Sequence, residues 1–414
     1  MVLRRVLLAV ICLYASALPA KALAETTLKV WTIPWDESAQ TSFKAMIATY
    51  QKQHPDVTIK NETRGIDEHK AAMRVAANSG SGPDIYYMWG GLGLGGEFVD
   101  GGASAPLNAY YTQYKWDDRF LPAALSDSRR ANGQRHGVPF LMHGEGIYYN
   151  KLLFKRAGIA TEPHSYDELV ADAEKLKAAG IAPIVFGGSV NWHLMRLMDV
   201  LLETKCGAKT HDALTALKAD WATEPCVKAS FTELKRWTQD FTLKPFMGLA
   251  DDQAQGLFYA GRAAMALEGD WFVHMIQAHG DLDNFGLFLF PTATDRLYFF
   301  DEYFYISSHS ANKDAAAAFL DFITSTEEQQ KYLGSFSTIS VDKGIDYAKQ
   351  TTPLATQWNK VLSSATGIFI NGDQAFPLDV TTEYWRVINR VGDATMEPAA
   401  AATAMQTFIT NRKH

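Results

Sequence analysis

Tryptophans and acidic or amide side chains recur together along this chain. They do so at Trp35-Asp36, at Asn191-Trp192-His193, at Glu268-Gly269-Asp270-Trp271 and, with a tyrosine, at Asp301-Glu302-Tyr303; Trp89 stands by itself. An indole face covers the C–H face of a sugar ring, while carboxylates and amides accept hydrogen bonds from its hydroxyls. Glu268 and Asp270, with Glu145 as a further partner, are carboxylates of the type that flank a glycosidic bond in hydrolases. Two acids two positions apart in a strand-end turn are, however, an ordinary polar anchor. The chain has no H-E-x-x-H, G-x-S-x-G, C-x-x-C or G-x-x-x-x-G-K-[ST], and its histidines lack metal-ligand spacing. No cofactor, metal or catalytic residue is therefore expected. Gly91-Leu92-Gly93-Leu94-Gly95-Gly96 matches G-x-G-x-x-G, but it follows the third expected strand rather than the first. It reads better as a loop feeding a helix N-terminus, whose free N–H groups can meet polar ligand atoms.

The elements that must position these residues alternate. Leu28, Val30 and Trp31 lie in a strand-like stretch that ends at Pro34, and Phe43, Met46, Ile47 and Tyr50 recur at helical spacing before Pro55. Val57 to Ile59 reads as a strand, Asp67 to Asn78 as a helix, and Ile85 to Trp89 as a third strand. This β-α-β-α-β order implies a parallel sheet with covering helices. The pattern returns at Ile147 to Tyr149, and Ser165 with Glu168 opens a helix that runs to Gly180. Ile184 to Phe186, Ala263 to Leu267 and Phe285 to Phe290 are further strands, and Asn312 to Ser325 and Pro398 to Arg412 are helices. Ligands of parallel α/β sheets sit at the carboxyl ends of strands, where Trp35, Trp89, Trp192 and Trp271 fall. With no Ser/Gly linker between the halves, two α/β lobes joined by short crossings are expected.

Composition is that of an ordinary soluble globular chain. The 414 residues are 47% hydrophobic and 21% charged, with net charge -7, which argues against a nucleic-acid partner. Arg4 and Arg5, the apolar run Val6 to Leu18 and the small-x-small site Ala22-Leu23-Ala24 have the pattern of a secretory signal peptide over 1–24. Cys12 follows Ile11 rather than a small residue, so no lipid anchor is expected. The mature chain is expected to be soluble and periplasmic, where Cys206 and Cys226 would pair.

In order along nearly the whole mature chain, several stretches resemble the extracellular solute-binding proteins of ABC importers, specifically the carbohydrate-binding family that includes maltose-binding protein. They are Leu28-Lys29-Val30-Trp31, Ser81-Gly82-Pro83-Asp84-Ile85, His136-Gly137-Val138-Pro139, the run Tyr148 to Gly158, Gly261-Arg262-Ala263-Ala264-Met265 and Glu268-Gly269-Asp270-Trp271. The resemblance implies a two-lobed periplasmic-binding-protein fold of type II, each lobe a β-sheet flanked by helices, with a ligand cleft between them. It implies crossings near 142, 288 and 336, so that 25–142 plus 288–335 form one lobe and 143–287 plus 336–414 the other. It also implies a sugar ligand held by hinge closure and delivered by a monomer to a membrane permease, without chemistry. By family position His143 lies at the first crossing, Trp271 is a stacking platform with Asp270 beside it, and Trp192 and Trp385 supply further aromatics. Trp35, Asp36 and Trp89 match first-lobe loops, and Asp301 matches a returning strand. Loops near the aromatics are poor in Lys and Arg, which disfavours a phosphate ligand. A polyamine would suit the acids and indoles and stays open as an alternative, and a periplasmic glycan-acting enzyme is the remaining one.

Overall fold

The computed structural model describes residues 25–279 and 282–412, so the expected signal peptide lies outside the described residues. Nine strands form one sheet: β1 (Thr26–Thr32), β2 (Val57–Thr63), β3 (Ile85–Trp89), β4 (Val138–Asn150), β5 (Ala182–Val185), β6 (Ala263–Gly269), β7 (Phe285–Phe288), β8 (Arg296–Ile306) and β9 (Gly367–Ile370). Their order is β2-β1-β3-β8-β4-β6-β5, with β7 added on β4 and β9 on β8.

The opening β-α-β-α-β run forms as its periodicity dictates. β1 lies parallel to β2 and β3, and the connecting helices are Glu37–Gln53 and Ile66–Ser79. The first helix starts where Asp36 accepts from the backbone N–H of Ser38 and Ala39, satisfying two of its free donors. It buries Ala39, Phe43, Met46 and Tyr50 against the sheet, and Phe43 stacks on Phe304 of β8 at 5.8 Å. In the other half, the long helix Asn191–Thr215, broken at Gly207, buries Leu194, Leu197, Met198 and Leu201 against Ile184, Val387 and Ile388.

Two long strands join the halves. β4 pairs antiparallel with β8 from Val138 to Glu145, then with β6 from Glu145 to Tyr149 and with β7 from Ile147 to Asn150. β8 pairs with β9 over Arg296 to Phe299 and with β3 over Glu302 to Ile306. Gly144 lets β4 pass this junction, since a Cβ there would lie 2.9 Å from Leu297 and from Trp358. Cys206 and Cys226 are joined by a disulfide that closes a 20-residue separation in the second half. Among the described residues no helix is long and apolar enough to cross a membrane.

Candidate functional site

A cavity of about 290 Å³ opens where the two halves of the sheet meet. Strand alternation decides which crossing residues reach it. Leu141, His143 and Glu145 of β4 line it, as do Phe300 and Glu302 of β8. Strand and helix ends add Trp35, Asp36, Trp89, Trp192, Trp271 and Asp373, while helices add Lys70, Met195 and Arg196. Seven expected site residues thus come together: Trp35, Asp36, Trp89, His143, Glu145, Trp192 and Trp271.

The indoles are held by specific contacts. Trp35 meets Phe43, Tyr87 and Phe336 edge-on at 5.3, 5.4 and 5.6 Å. Arg196 places its guanidinium carbon 4.5 Å from the Trp192 ring and 5.0 Å from the Trp271 ring. The same guanidinium reaches Glu145 at 3.0 Å and Glu268 at 2.9 Å. Burial pushes both carboxyls up and Arg196 pulls them back, so each titrates at about 7. Glu268 lies off the cavity lining, and the cation between the two acids occupies the space a scissile bond would need. Arg196 and Lys70 also correct the expectation of a site poor in basic residues: both arrive on helices rather than on the strand-end loops.

His143 connects the cavity to the crossings. Its Nδ1 donates to Asp270 at 2.8 Å, its Nε2 lies 3.6 Å from Glu302, and its ring stands edge-on to Trp271 at 5.0 Å. Burial disfavours its charge, but the Asp270 and Glu302 carboxylates outweigh that and raise it to about 10. At neutral pH it is an imidazolium.

Four expected site residues stand outside the lining, each with other work. Asp270 is fully buried and accepts from His143, the Ser337 hydroxyl and the N–H groups of Thr338 and Ile339, at 2.6 and 2.9 Å for the last two. It ties β4 to the chain segment near 337. Asp301 points to the opposite side of β8 from Glu302 and lies beside Asp127, with the Tyr303 hydroxyl donating to it at 2.9 Å. Burial and the neighbouring carboxyl push Asp301 well up, so this pair holds a proton. Asn191 accepts from the Asn389 side chain at 2.8 Å. Trp385 donates to Met195 Sδ at 3.2 Å, with the Lys70 ammonium 6.0 Å above its ring.

Gly91 to Gly95 form one wide helical turn. A Cβ on Gly91, at φ +79°, would lie 2.2 Å from the Gln374 carbonyl oxygen, and one on Gly93 would lie 2.6 Å from that of Phe376. The glycines exist for this close approach, and Leu94 of the same turn lines the cavity. His193, Asp251 and Glu268 bring three ligand atoms within 4.8 Å of one another. His193 Nδ1 accepts the Gly187 N–H at 2.8 Å, so its Nε2 carries the proton that Asp251 receives at 2.6 Å and offers no lone pair to a metal. A second recess of about 260 Å³, beside Asp84 and His309, has a carboxylate already satisfied by the Lys29 N–H and the Ser310 hydroxyl.

Residues 35–330 match the family of bacterial extracellular solute-binding proteins, and the chain belongs to that family. An uncharacterized ABC transporter extracellular-binding protein of Pyrococcus horikoshii is 25% identical over 73% of this chain and 68% of its own length. The multiple sugar-binding protein of Streptococcus mutans is 21% identical over 70% of each chain. A solved chitin oligosaccharide binding protein superposes with a TM-score of 0.86 at 24% identity, covering 93% of this chain and 98% of its own. Maltose-bound MalE3 of T. maritima gives a TM-score of 0.77 at 16% identity, over 93% and 99%. The fold is that of a type II periplasmic binding protein. This chain is a solute-binding component of an ABC transporter and not an enzyme.

Proposed function

We propose that the solute is a mono- or oligosaccharide, captured in the cavity between the lobes by hinge closure and handed unaltered to a membrane permease. The observation that carries this reading is the meeting of Trp35, Trp89, Trp192 and Trp271 with carboxylates in one cavity of about 290 Å³. Indole faces suit sugar C–H surfaces, and fixed carboxylates suit hydroxyls. The Streptococcus multiple sugar-binding protein and the chitin oligosaccharide binding protein, by their names, bind ligands of this class. We take the first and third crossings near 142 and 336, as expected, and move the second from 288 to 299–302, because β8 pairs with β9 over Arg296 to Phe299 and with β3 over Glu302 to Ile306. Export by the 1–24 leader to the periplasm as a soluble monomer completes the reading.

The test is a thermal-shift panel of monosaccharides and of α- and β-linked gluco-, xylo-, galacto- and chito-oligosaccharides, with spermidine included. A saccharide present at 100 times its Kd adds about 2.7 kcal/mol of stability. A panel in which only spermidine shifts the transition refutes the reading.

A further inference from the structure

We propose that Lys70 and Asp373 form a split donor–acceptor pair in the cavity, which selects a neutral sugar hydroxyl or acetamido group and rejects charged sugars at that point. The proposal rests on the saccharide reading above and specifies it.

Lys70 comes from the helix Ile66–Ser79, and Asp373 from the turn Gly372–Ala375 that follows β9. Both line the cavity. Among the described residues the Lys70 ammonium makes no hydrogen bond and has no carboxylate within 4.0 Å. Instead its Nζ hangs 4.9 Å from the Trp89 ring and 6.0 Å from the Trp385 ring. Asp373 is 7% exposed, and its Oδ1 is buried without a hydrogen-bond partner. Burial pushes the Lys70 ammonium down and the Asp373 carboxyl up, and each group counteracts the effect on the other. The two charges therefore feel each other without touching.

The other cation of the cavity is not available in this way, because Arg196 is already shared between Glu145 and Glu268. Lys70 needs an acceptor, and Asp373 Oδ1 needs a donor. One hydroxyl supplies both, giving its proton to Asp373 and a lone pair to Lys70. An acetamido group does the same with its N–H and C=O. A uronate carboxylate satisfies Lys70 but meets Asp373 with like charge, and a free ammonium satisfies Asp373 but meets Lys70. Either leaves one enclosed charge unpaired, which is a steeper penalty than losing a matched contact. Polyamines are disfavoured on the same ground.

The experiment is isothermal titration at pH 7 with the tightest-binding neutral disaccharide of the panel, its uronic-acid analogue and its free-amine analogue. Wild type, Lys70→Gln and Asp373→Asn are compared, with Lys70→Arg and Asp373→Ser as second variants should either fail to fold. The wild type is expected to prefer the neutral ligand by at least about tenfold over both analogues. Each variant is expected to lose about tenfold for the neutral ligand, with Asp373→Asn narrowing the gap to the uronate and Lys70→Gln narrowing the gap to the amine. Neutral affinity within twofold of wild type in both variants, or unchanged selectivity ratios, overturns the pair while leaving saccharide binding intact. A wild type that binds no saccharide, or binds spermidine more tightly, overturns the saccharide reading itself and the pair with it.

Discussion

Replacing Asp270 by alanine removes the one counter-charge that contacts His143 at hydrogen-bond distance and strands the Thr338 N–H, while the Ile339 N–H keeps only the Ser337 hydroxyl. Asp270 has no exposed surface, so water does not take its place. Removing one partner of a buried ion pair costs about 3–5 kcal/mol, because the survivor is left charged in a medium of low polarisability. We expect that loss in denaturant unfolding of Asp270→Ala, and a smaller one in Asp270→Asn, which keeps an acceptor but not the charge. The pH dependence gives a sharper signature. His143 is raised from its ordinary value near 6.5 to about 10, so its stabilising effect is fully present below pH 6.5 and is lost as pH rises through 10. The gap in stability between wild type and Asp270→Asn should therefore narrow from pH 7 to pH 10, by up to about 1.4 kcal/mol per unit. NMR titration of the imidazole should show His143 falling towards its ordinary value in the variant. A destabilisation under about 1 kcal/mol with His143 still titrating above 9 would refute the clasp.

Three further outcomes are expected. Trp271→Ala should weaken saccharide binding by at least about 1.5 kcal/mol through lost stacking and buried area, read by calorimetry, and unchanged affinity removes Trp271 from the site. Arg196→Met should leave Glu145 and Glu268 buried without a cation and push both carboxyls above 7, making the variant several kcal/mol less stable than wild type at pH 8 but much closer to it at pH 5, where both are protonated; an equal deficit at both pH values contradicts the assigned ion pairs. Reducing the Cys206–Cys226 bridge should raise the intact mass by two hydrogens and cost about 3 kcal/mol by loop entropy, whereas thiols that alkylate fully in the native protein refute the bridge.

The first three strands and their helices were legible because each has one buried face, which imposes a period of two or 3.6 on the sequence. The joining strands were not legible at full length. Every residue of β4 but Tyr149 is buried, so its 13 residues show no alternation, and Gly144 and Gly146 read as turn signals. They are glycine because Leu297, Trp358 and Leu287 approach the backbone there. In the site, the tryptophans at strand ends announced themselves by type and place. The acids beside them were separated by parity: Glu302 faces the cavity, whereas Asp301, one residue away, faces Asp127. Trp192, Met195 and Arg196 stand at i, i+3 and i+4 on one helix, a spacing that could have pointed to Arg196. Lys70 carried no local signal, since the face of its helix that meets the cavity is set by the distant residues Trp89, Trp385 and Asp373.

The most direct test of the central claim is a crystal structure of the protein grown with the tightest-binding saccharide of the panel. Sugar rings are expected in the cavity among Trp89, Trp192 and Trp271, with hydroxyl or acetamido atoms within hydrogen-bond distance of Lys70 and Asp373. Saccharide found instead in the recess beside Asp84 and His309, with the cavity at the crossings holding only water, would contradict it.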